Sequence, residues 1–523
     1  MDNFYNLMCA TDFYKVSHKP QYPENVTKVH SVLVARGANY NDNISKDEFY
    51  WFGVKLYLKK LTEFELWLID TKRSEFKIML TKYKEFLDTR LGGDNDVSHW
   101  LDLFEYVRGN HVLPIDIWAK PERTMQDFQT PLLVIENIDD NFPWLTSYVE
   151  TSMLANIWPV TTAANRAKHI RNNIESFMVG YTEEELAGVD FMGHDFSYRG
   201  MVGDDAARLV GCGHLSVFKG SDTIPAIKAM EDVYGEVTGF SVPATEHSVM
   251  CAGGKATELD TYNRILDIYP SGIVSIVSDT WDYFGVLTKT LPELKDKIMA
   301  RDGKTVIRPD SGDPVDIVCG IDITVIPEGE DIGSYMSDVI REELYDETPH
   351  GEMGPAEVSR LVRQGDKTYK VEANDIFWNR YDKQYYYLGA MGIVTVNPIE
   401  LTPEQKGTLE LLDETFGHTL DSQGRKLLDS HIGIIYGDGM NQERINQMLT
   451  RMTDKGYSPL NIVFGIGAFT YQLTTRDELG FAFKATAVEI NGEWVNIMKD
   501  PKTDPGKKSL TGVVDTSDME LVF

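Results

Sequence analysis

The sequence predicts an α/β protein built around a (β/α) barrel, and two observations carry that prediction. One grammar recurs through the middle and later parts of the chain: a short β-branched run, a polar or glycine-rich break, then a helical pattern. Three of the four clearest breaks carry an aspartate. Parallel strands with helical crossovers collect functional residues at their carboxyl ends, so the four breaks are expected to converge in space. A barrel is favoured because polar strand ends come from so many units; an open doubly wound sheet is the alternative. Gly and Asp also end strands for purely structural reasons, and four such ends in one chain sit uneasily with that simpler reading.

The first unit runs from Ile273-Val274-Ser275-Ile276-Val277 into Ser278-Asp279, with Trp281, Phe284 and Leu287 following at helical steps. In the second, Val306-Ile307 breaks into Arg308-Pro309-Asp310-Ser311-Gly312-Asp313, and Pro314 reads as the first residue of a helix capped by Asp313. The third is Ile432 to Tyr436 followed by Gly437-Asp438-Gly439, with Ile445, Met448 and Leu449 on one helical face. The fourth is Asn461-Ile462-Val463-Phe464 followed by Gly465-Ile466-Gly467-Ala468. Residues 1–150 differ, with aromatic-rich helical stretches such as Phe49 to Ile69, and are expected to form a separate domain before a barrel over 151–484. Glu150 to Trp158 reads as a buried helix ending near Pro159. Residues 319–398 carry acidic clusters and the run Tyr385-Tyr386-Tyr387, break the rhythm and look like an insertion. Helical pattern resumes at Thr402-Pro403-Glu404-Gln405, which has the form of a capping box.

A chain of 523 residues with 42% hydrophobic content can bury ordinary cores in two or three domains. Its formal charge of −30 argues against a general nucleic-acid or membrane-surface binder, because either polyanion is repelled at long range. An anionic substrate then needs a local basic pocket. No run approaches a membrane span, and the start lacks the basic and apolar regions of a signal peptide, so a cytoplasmic protein is expected. Cys9, Cys212, Cys251 and Cys319 match neither a zinc spacing nor a redox pair and read as thiols in a reducing compartment.

Arg308, Asp310 and the Ser311-Gly312 turn have the make-up of a site for a phosphorylated, hydroxyl-rich ligand. The guanidinium offers a planar fork to phosphate, the carboxylate accepts from sugar hydroxyls, and the turn leaves backbone N–H groups available. Alone, the segment reads at least as well as a structural turn; its recurrence elsewhere tilts the balance. His194-Asp195-Phe196-Ser197-Tyr198-Arg199-Gly200 offers an aromatic face for a flat ring beside an arginine for an anion, or, if Asp195 pairs with Arg199, only a structural knot. Asp222 follows a strand-like run at Phe218-Lys219-Gly220-Ser221. In Ser241-Val242-Pro243-Ala244-Thr245-Glu246-His247-Ser248, the Glu-His pair is a candidate for proton transfer or phosphoryl acceptance, although a loop histidine is more often inert.

Together with Ala10-Thr11-Asp12-Phe13-Tyr14-Lys15-Val16, the stretch Pro143 to Arg166 and Lys499-Asp500-Pro501, these motifs make the chain resemble the nicotinamide phosphoribosyltransferases of the nicotinate/quinolinate phosphoribosyltransferase group. The fold this implies is an irregular (β/α) barrel plus a second α+β domain built from residues 1–150 and 485–523. The activity it implies joins nicotinamide to 5-phosphoribosyl 1-pyrophosphate, with Mg2+ and coupled ATP hydrolysis, in a cytoplasmic homodimer. Carried over residue by residue, Phe196 stacks on the pyridine, with Tyr14 of a second copy on its other face, and Asp222 accepts from the carboxamide, with Ser241 beside it. His247, Asp279, Arg308 and Asp310 form the catalytic set. Arg199, His247 and Arg308 meet pyrophosphate, while Arg308, Asp310, Gly437 and Asp438 hold the ribose phosphate. Gly467, Ala468 and Arg476 form the phosphate end, with Arg36, Lys484 and Lys499 as further basic contacts. His247 matches the histidine phosphorylated by ATP. Two departures stand out: about eighty residues after Pro314 have no family counterpart, and Ala468 stands in a loop that is glycine-richer in the family.

The nearest rival is the same reaction on nicotinate, which Asp222 disfavours because it would face a second carboxylate. A barrel glycoside hydrolase using Glu246, Asp279 and Asp310 leaves Arg199, Arg308 and Arg476 without a polyanion. A non-catalytic nucleotide sensor is the remaining alternative.

Overall fold

The computed structural model describes residues 7–38, 45–336, 355–365, 367–379, 384–387, 394–437, 439–503 and 508–523. The chain divides into two compact units: Met1–Ser241 with Gly439–Asn441 and Val463–Phe523, and Val242–Asp438 with Gln442–Ile462. Each contributes three parallel strands with helices, the α/β class predicted above.

In the first unit a six-stranded antiparallel sheet has the order Glu493–Asn496, Ala482–Ile490, Val26–Val34, Leu133–Asn137, Ile115–Ala119 and Glu520–Leu521. The central strand Val26–Val34 aligns Val32 with Lys484 on one side and Val134 on the other. Leu33, Leu133, Ile135 and Ile117 enter a core shared with Trp100, Phe104 and Tyr148. The aromatic-rich stretch of the sequence becomes a strand, Glu48–Trp51, and a helix, Val54–Asp70. Between them Gly53 adopts φ 115°, and a Cβ there would stand 2.7 Å from the Val160 side chain. The Glu122 carboxylate accepts from the Gly53 N–H at 2.6 Å and from the Val54 N–H. A carboxylate from a distant part of the chain thus supplies the cap that no neighbouring residue provides.

Pro159 does not end its helix. One helix spans Pro143–Ser176 with Pro159 inside it. An interior proline costs about 3 kcal/mol, whereas burying a large aliphatic side chain stabilises by about 1.5–3 kcal/mol. Ile157, Val160, Ile170 and Ile174 are all within 2% of complete burial, so packing on this helix outweighs the lost hydrogen bond. Thr161 also ties the helix to the chain entering Gly53, donating to the Phe52 carbonyl at 2.7 Å.

Among the first unit's parallel strands, Gly193–Asp195 lies between Ile462–Ile466 and Gly220–Ser221. Helices Asp204–Leu215 and Ile224–Tyr234 cover it through Leu209, Cys212, Ala226 and Met230. The second unit's parallel strands run in the order Ile432–Tyr436, Thr305–Arg308 and Val274–Val277, with Ile307 aligned to both Ile434 and Ile276. The same unit holds an antiparallel sheet in which Lys367–Asn379 pairs with Pro355–Gln364, Gln384–Tyr387 and Val394–Ile399. Pro314–Cys319 is helical with Asp313 accepting from the Val315 and Asp316 N–H groups, and Thr402 and Gln405 close the predicted capping box. Among the described residues no helix is long and apolar enough to cross a membrane, and all four cysteines are free.

Candidate active site

In the first unit the strand end Gly193–Asp195 sets two side chains beside each other. Phe196 leaves the strand with its N–H on the Ile466 carbonyl at 2.9 Å, and its ring lies 4.6 Å from that of His194. The pairing of His194 with Gly220 carries the histidine alongside the next strand end, where His194 Nε2–H donates to Asp222 Oδ1 at 2.9 Å. Ser241 donates to the same oxygen. Two donors from different elements therefore orient the Asp222 carboxylate next to an aromatic face. Beneath them His214 is wholly buried and is pushed down to about 4 by that burial, so it is neutral at physiological pH. Its Nε2–H donates to the Gly220 carbonyl at 2.9 Å, and Nδ1 accepts from the Tyr471 hydroxyl at 2.7 Å, which fixes the short strand that presents Asp222.

Asp195 does not pair with Arg199. It is fully buried and accepts from the Ser197 N–H at 2.9 Å, holding the turn after the strand. Arg199 is exposed and has no carboxylate partner among the described residues. Gly467 precedes a short helix, Ala468–Tyr471. Ala468 has no positive φ, so alanine fits there without strain, and its Cβ would meet a side chain at Gly200 at 2.4 Å. Glycine is demanded at 200, rather than at 468.

A second feature of the same unit is a pocket of about 450 Å3 that gathers Tyr14, Arg36, Arg476, Lys484 and Lys499. Arg36 is held by donation from Nε to the Gly480 carbonyl at 2.9 Å, and Lys15 is buried against Glu150 at 2.8 Å. Burial lowers the Lys484 ammonium below the usual lysine range; Glu150 opposes this, and Lys499, Lys15 and Arg36 add to it. Cations outnumber carboxylates here, and a phosphate would suit the excess. Tyr14 is 59% exposed, with its ring 5.3 Å from His18.

In the second unit all three parallel strands end in polar groups. His247, first residue of the helix His247–Cys251, donates from Nε2 to Asp279 Oδ1 at 3.2 Å. Ser311 donates to Asp279 Oδ2 at 2.6 Å. Arg308 ends the strand Thr305–Arg308 and donates from Nη2 to the Thr245 carbonyl at 3.1 Å, while its Nε is buried with no partner. Asp310 makes no hydrogen bond or ion pair among the described residues. Tyr436 donates to the Gly312 carbonyl at 2.9 Å, securing the turn beyond it, and Gly437 follows at the end of its strand. Asp438 lies outside the described residues.

The profile described as the Nicotinate phosphoribosyltransferase (NAPRTase) family matches residues 191–343 and 395–522, and that of the Nicotinamide phosphoribosyltransferase N-terminal domain matches residues 6–84. A Nicotinamide phosphoribosyltransferase of Acinetobacter baylyi is 34% identical over 522 residues, covering 97% of this chain and 88% of that one. The chain belongs to the nicotinamide phosphoribosyltransferase family. Two further relatives of that name, from Mycoplasma pneumoniae and Mycoplasma genitalium, are 30% and 31% identical, each covering 99% of this chain and 97% of its own.

Membership of the nicotinamide phosphoribosyltransferase family makes the chain one of a family of pentosyltransferases. Sequence reasoning named most of the polar groups at the strand ends, but passed over the residues that aim them. Thr245 is one: its carbonyl takes Arg308, and its hydroxyl accepts from the Val277 N–H at 2.9 Å, so one residue locks two strand ends together. His214 and Tyr471 are others; Ser311 was named for its backbone N–H, whereas it is its hydroxyl that holds Asp279. Only register could have found them, because each acts on a residue remote in the chain.

Proposed function

We propose that this chain transfers the phosphoribosyl group of 5-phosphoribosyl 1-pyrophosphate to the ring nitrogen of nicotinamide, giving nicotinamide mononucleotide and pyrophosphate. The observation that carries this reading is the Asp222 carboxylate, oriented by His194 and Ser241 beside the Phe196 ring. It matches a flat ring bearing an NH2 donor, and is repelled by one bearing a carboxylate. The anomeric C–O bond breaks with its electron pair leaving on pyrophosphate, and the pyridine lone pair forms the new N–C bond. A neutral nucleophile needs no general base.

The residues of the second unit suit the other half of the reaction. Arg308 stabilises charge on the departing pyrophosphate, and Asp310 accepts from ribose hydroxyls and tolerates positive charge on the ring. Gly437 and Asp438 flank the ribose phosphate; Arg199, Gly467, Ala468 and Arg476 serve its phosphate groups, with Arg36, Lys484 and Lys499 as neighbouring cations. Among the described residues no group of three or more His, Cys, Asp or Glu side chains is arranged to hold a metal. Mg2+ would come with the substrate phosphates, and Asp279 and Asp310 are the carboxylates able to join it. When bound, it neutralises the leaving group. The chain acts as a homodimer in which Tyr14 of one copy covers the ring held by Phe196 of the other, and its free thiols suit the cytoplasm.

ATP drives the reaction through His247. With Nε2–H held by Asp279, the lone pair for phosphoryl acceptance is on Nδ1. ATP labelled in its terminal phosphate is expected to leave an acid-labile label on the native protein and none on His247→Ala; label retained by the variant would move the acceptor elsewhere. The whole reading is tested by incubating the protein with nicotinamide, phosphoribosyl pyrophosphate and Mg2+. Stoichiometric mononucleotide and pyrophosphate are expected. Binding without turnover would indicate a sensor, and cleavage of neutral glycosides a hydrolase.

A further inference from the structure

The second unit contains a cavity of about 910 Å3 that none of the chemistry above uses. One wall comes from the strands Pro355–Gln364, Lys367–Asn379 and Val394–Ile399, the other from the helix Pro403–Phe416 and the segment around Tyr457. Its lining holds five cations against four carboxylates, of which Glu400 is one. Three of them are already matched: Arg363 with Glu410 at 3.0 Å, Lys406 with Glu414 at 2.6 Å, and Lys426 with Asp413 at 3.0 Å. Two are not. Among the described residues the half-buried Lys455 donates only to the Cys319 carbonyl, and Lys367, which is exposed, has no carboxylate partner.

We propose that this cavity is a second ligand site, taking a small phosphorylated anion whose phosphate is received by Lys455 and Lys367. An ammonium on a half-buried stem with a carbonyl as its sole acceptor is an incomplete electrostatic arrangement, and an anion completes it. The chemistry favours phosphate over carboxylate. Arg363 is already engaged, with Nη2 donating to both carboxylate oxygens of Glu410. What remains is a pair of compact point charges, the kind that meets a tetrahedral, multiply charged group. The volume is that of a drug-sized or nucleotide-sized ligand rather than of a bare ion. Ile399 and Leu401 line the cavity and offer apolar contact for the rest of such a molecule.

Lys455 also supplies the signature. Burial lowers it to about 8; Cys319 and Glu410 raise it, and Arg363 and Arg451 lower it further. At pH 8 a sizeable part of this amine is therefore neutral, and an anion that favours the ammonium draws a proton from solution as it binds.

The probe is pyrophosphate, titrated calorimetrically into the full-length protein at pH 8 in two buffers of different ionisation heat. The native protein is expected to show a site beyond that of the proposed active site, with proton uptake on filling it. Lys455→Arg, which keeps a permanent cation, is expected to retain this site and lose the uptake. Lys455→Met is expected to weaken it by about 10- to 100-fold, the range of one charge-assisted hydrogen bond. A single class of site that Lys455→Met leaves at native affinity, or an additional site with unchanged proton uptake in both variants, would overturn the proposal. Failure of the active-site reading would instead remove the other site and leave this one.

Discussion

Arg308→Ala is expected to lower kcat/KM for phosphoribosyl transfer by about 10²–10³, the loss seen when one preorganised donor to a developing oxyanion is removed. The size of the effect follows from how the side chain is held. Nη2 is spent on the Thr245 carbonyl, which fixes the guanidinium plane, while Nε is buried and unsatisfied. A buried donor left unpaired costs about 1–3 kcal/mol, so the free protein is poised for an acceptor and gains when pyrophosphate oxygens provide it. Arg308→Lys keeps the charge but loses the fork, and is expected to recover only part of the rate. Steady-state kinetics over a range of phosphoribosyl pyrophosphate concentrations would resolve this. Rates for the alanine variant matching the native protein would take Arg308 out of the site.

The second large effect is one of selectivity. In Asp222→Asn the amide has a single oxygen, and His194 and Ser241 both donate to the position it would occupy. The amide NH2 then turns toward the substrate, where it opposes the carboxamide NH2 of nicotinamide and suits the carboxylate of nicotinate. Sites that lose a designed hydrogen bond to substrate reject it strongly, so nicotinamide kcat/KM is expected to fall by about 10² or more, with nicotinate gaining relative to it. The ratio of the two kcat/KM values is the quantity to measure. An unchanged ratio would mean that Asp222 does not read the substituent.

Local signals in the sequence were sufficient for some parts of the molecule and silent on others. The strands Val274–Val277, Thr305–Arg308, Ile432–Tyr436 and Ile462–Ile466 announce themselves by β-branched runs broken by polar turns. The Asp313 cap and the Thr402 capping box are likewise short-range, decided within three or four residues. Pro159 misled because its local cost is visible while the burial that overrides it depends on partners far along the chain. The cap on Val54–Asp70 was invisible for the same reason, since Glu122 is not a neighbour in sequence. The Asp195–Arg199 pair was a fair possibility by spacing, but the turn after the strand needs an acceptor for the Ser197 N–H, and Asp195 is the one buried beside it.

For the candidate site, residue types were legible and their supports were not. Arg308, Asp222 and His247 stood out by chemistry; the roles of Thr245, Ser311 and His214 depend on strand register, which pattern alone does not reveal. The basic pocket shows a different division. Tyr14, Arg36, Arg476, Lys484 and Lys499 are spread over almost the whole chain, and only the family resemblance put them on one list. The fold gathers them because the strands Val26–Val34 and Ala482–Ile490 are adjacent in the sheet.

The most direct test of the central claim is the initial rate of mononucleotide formation from phosphoribosyl pyrophosphate and Mg2+ with nicotinamide and with nicotinate in parallel. A carboxylate oriented toward the ring substituent predicts at least about a 100-fold preference for nicotinamide, the scale on which a site rejects a substrate that leaves its polar groups unpaired. Comparable rates on the two substrates, or a preference for nicotinate, would contradict it.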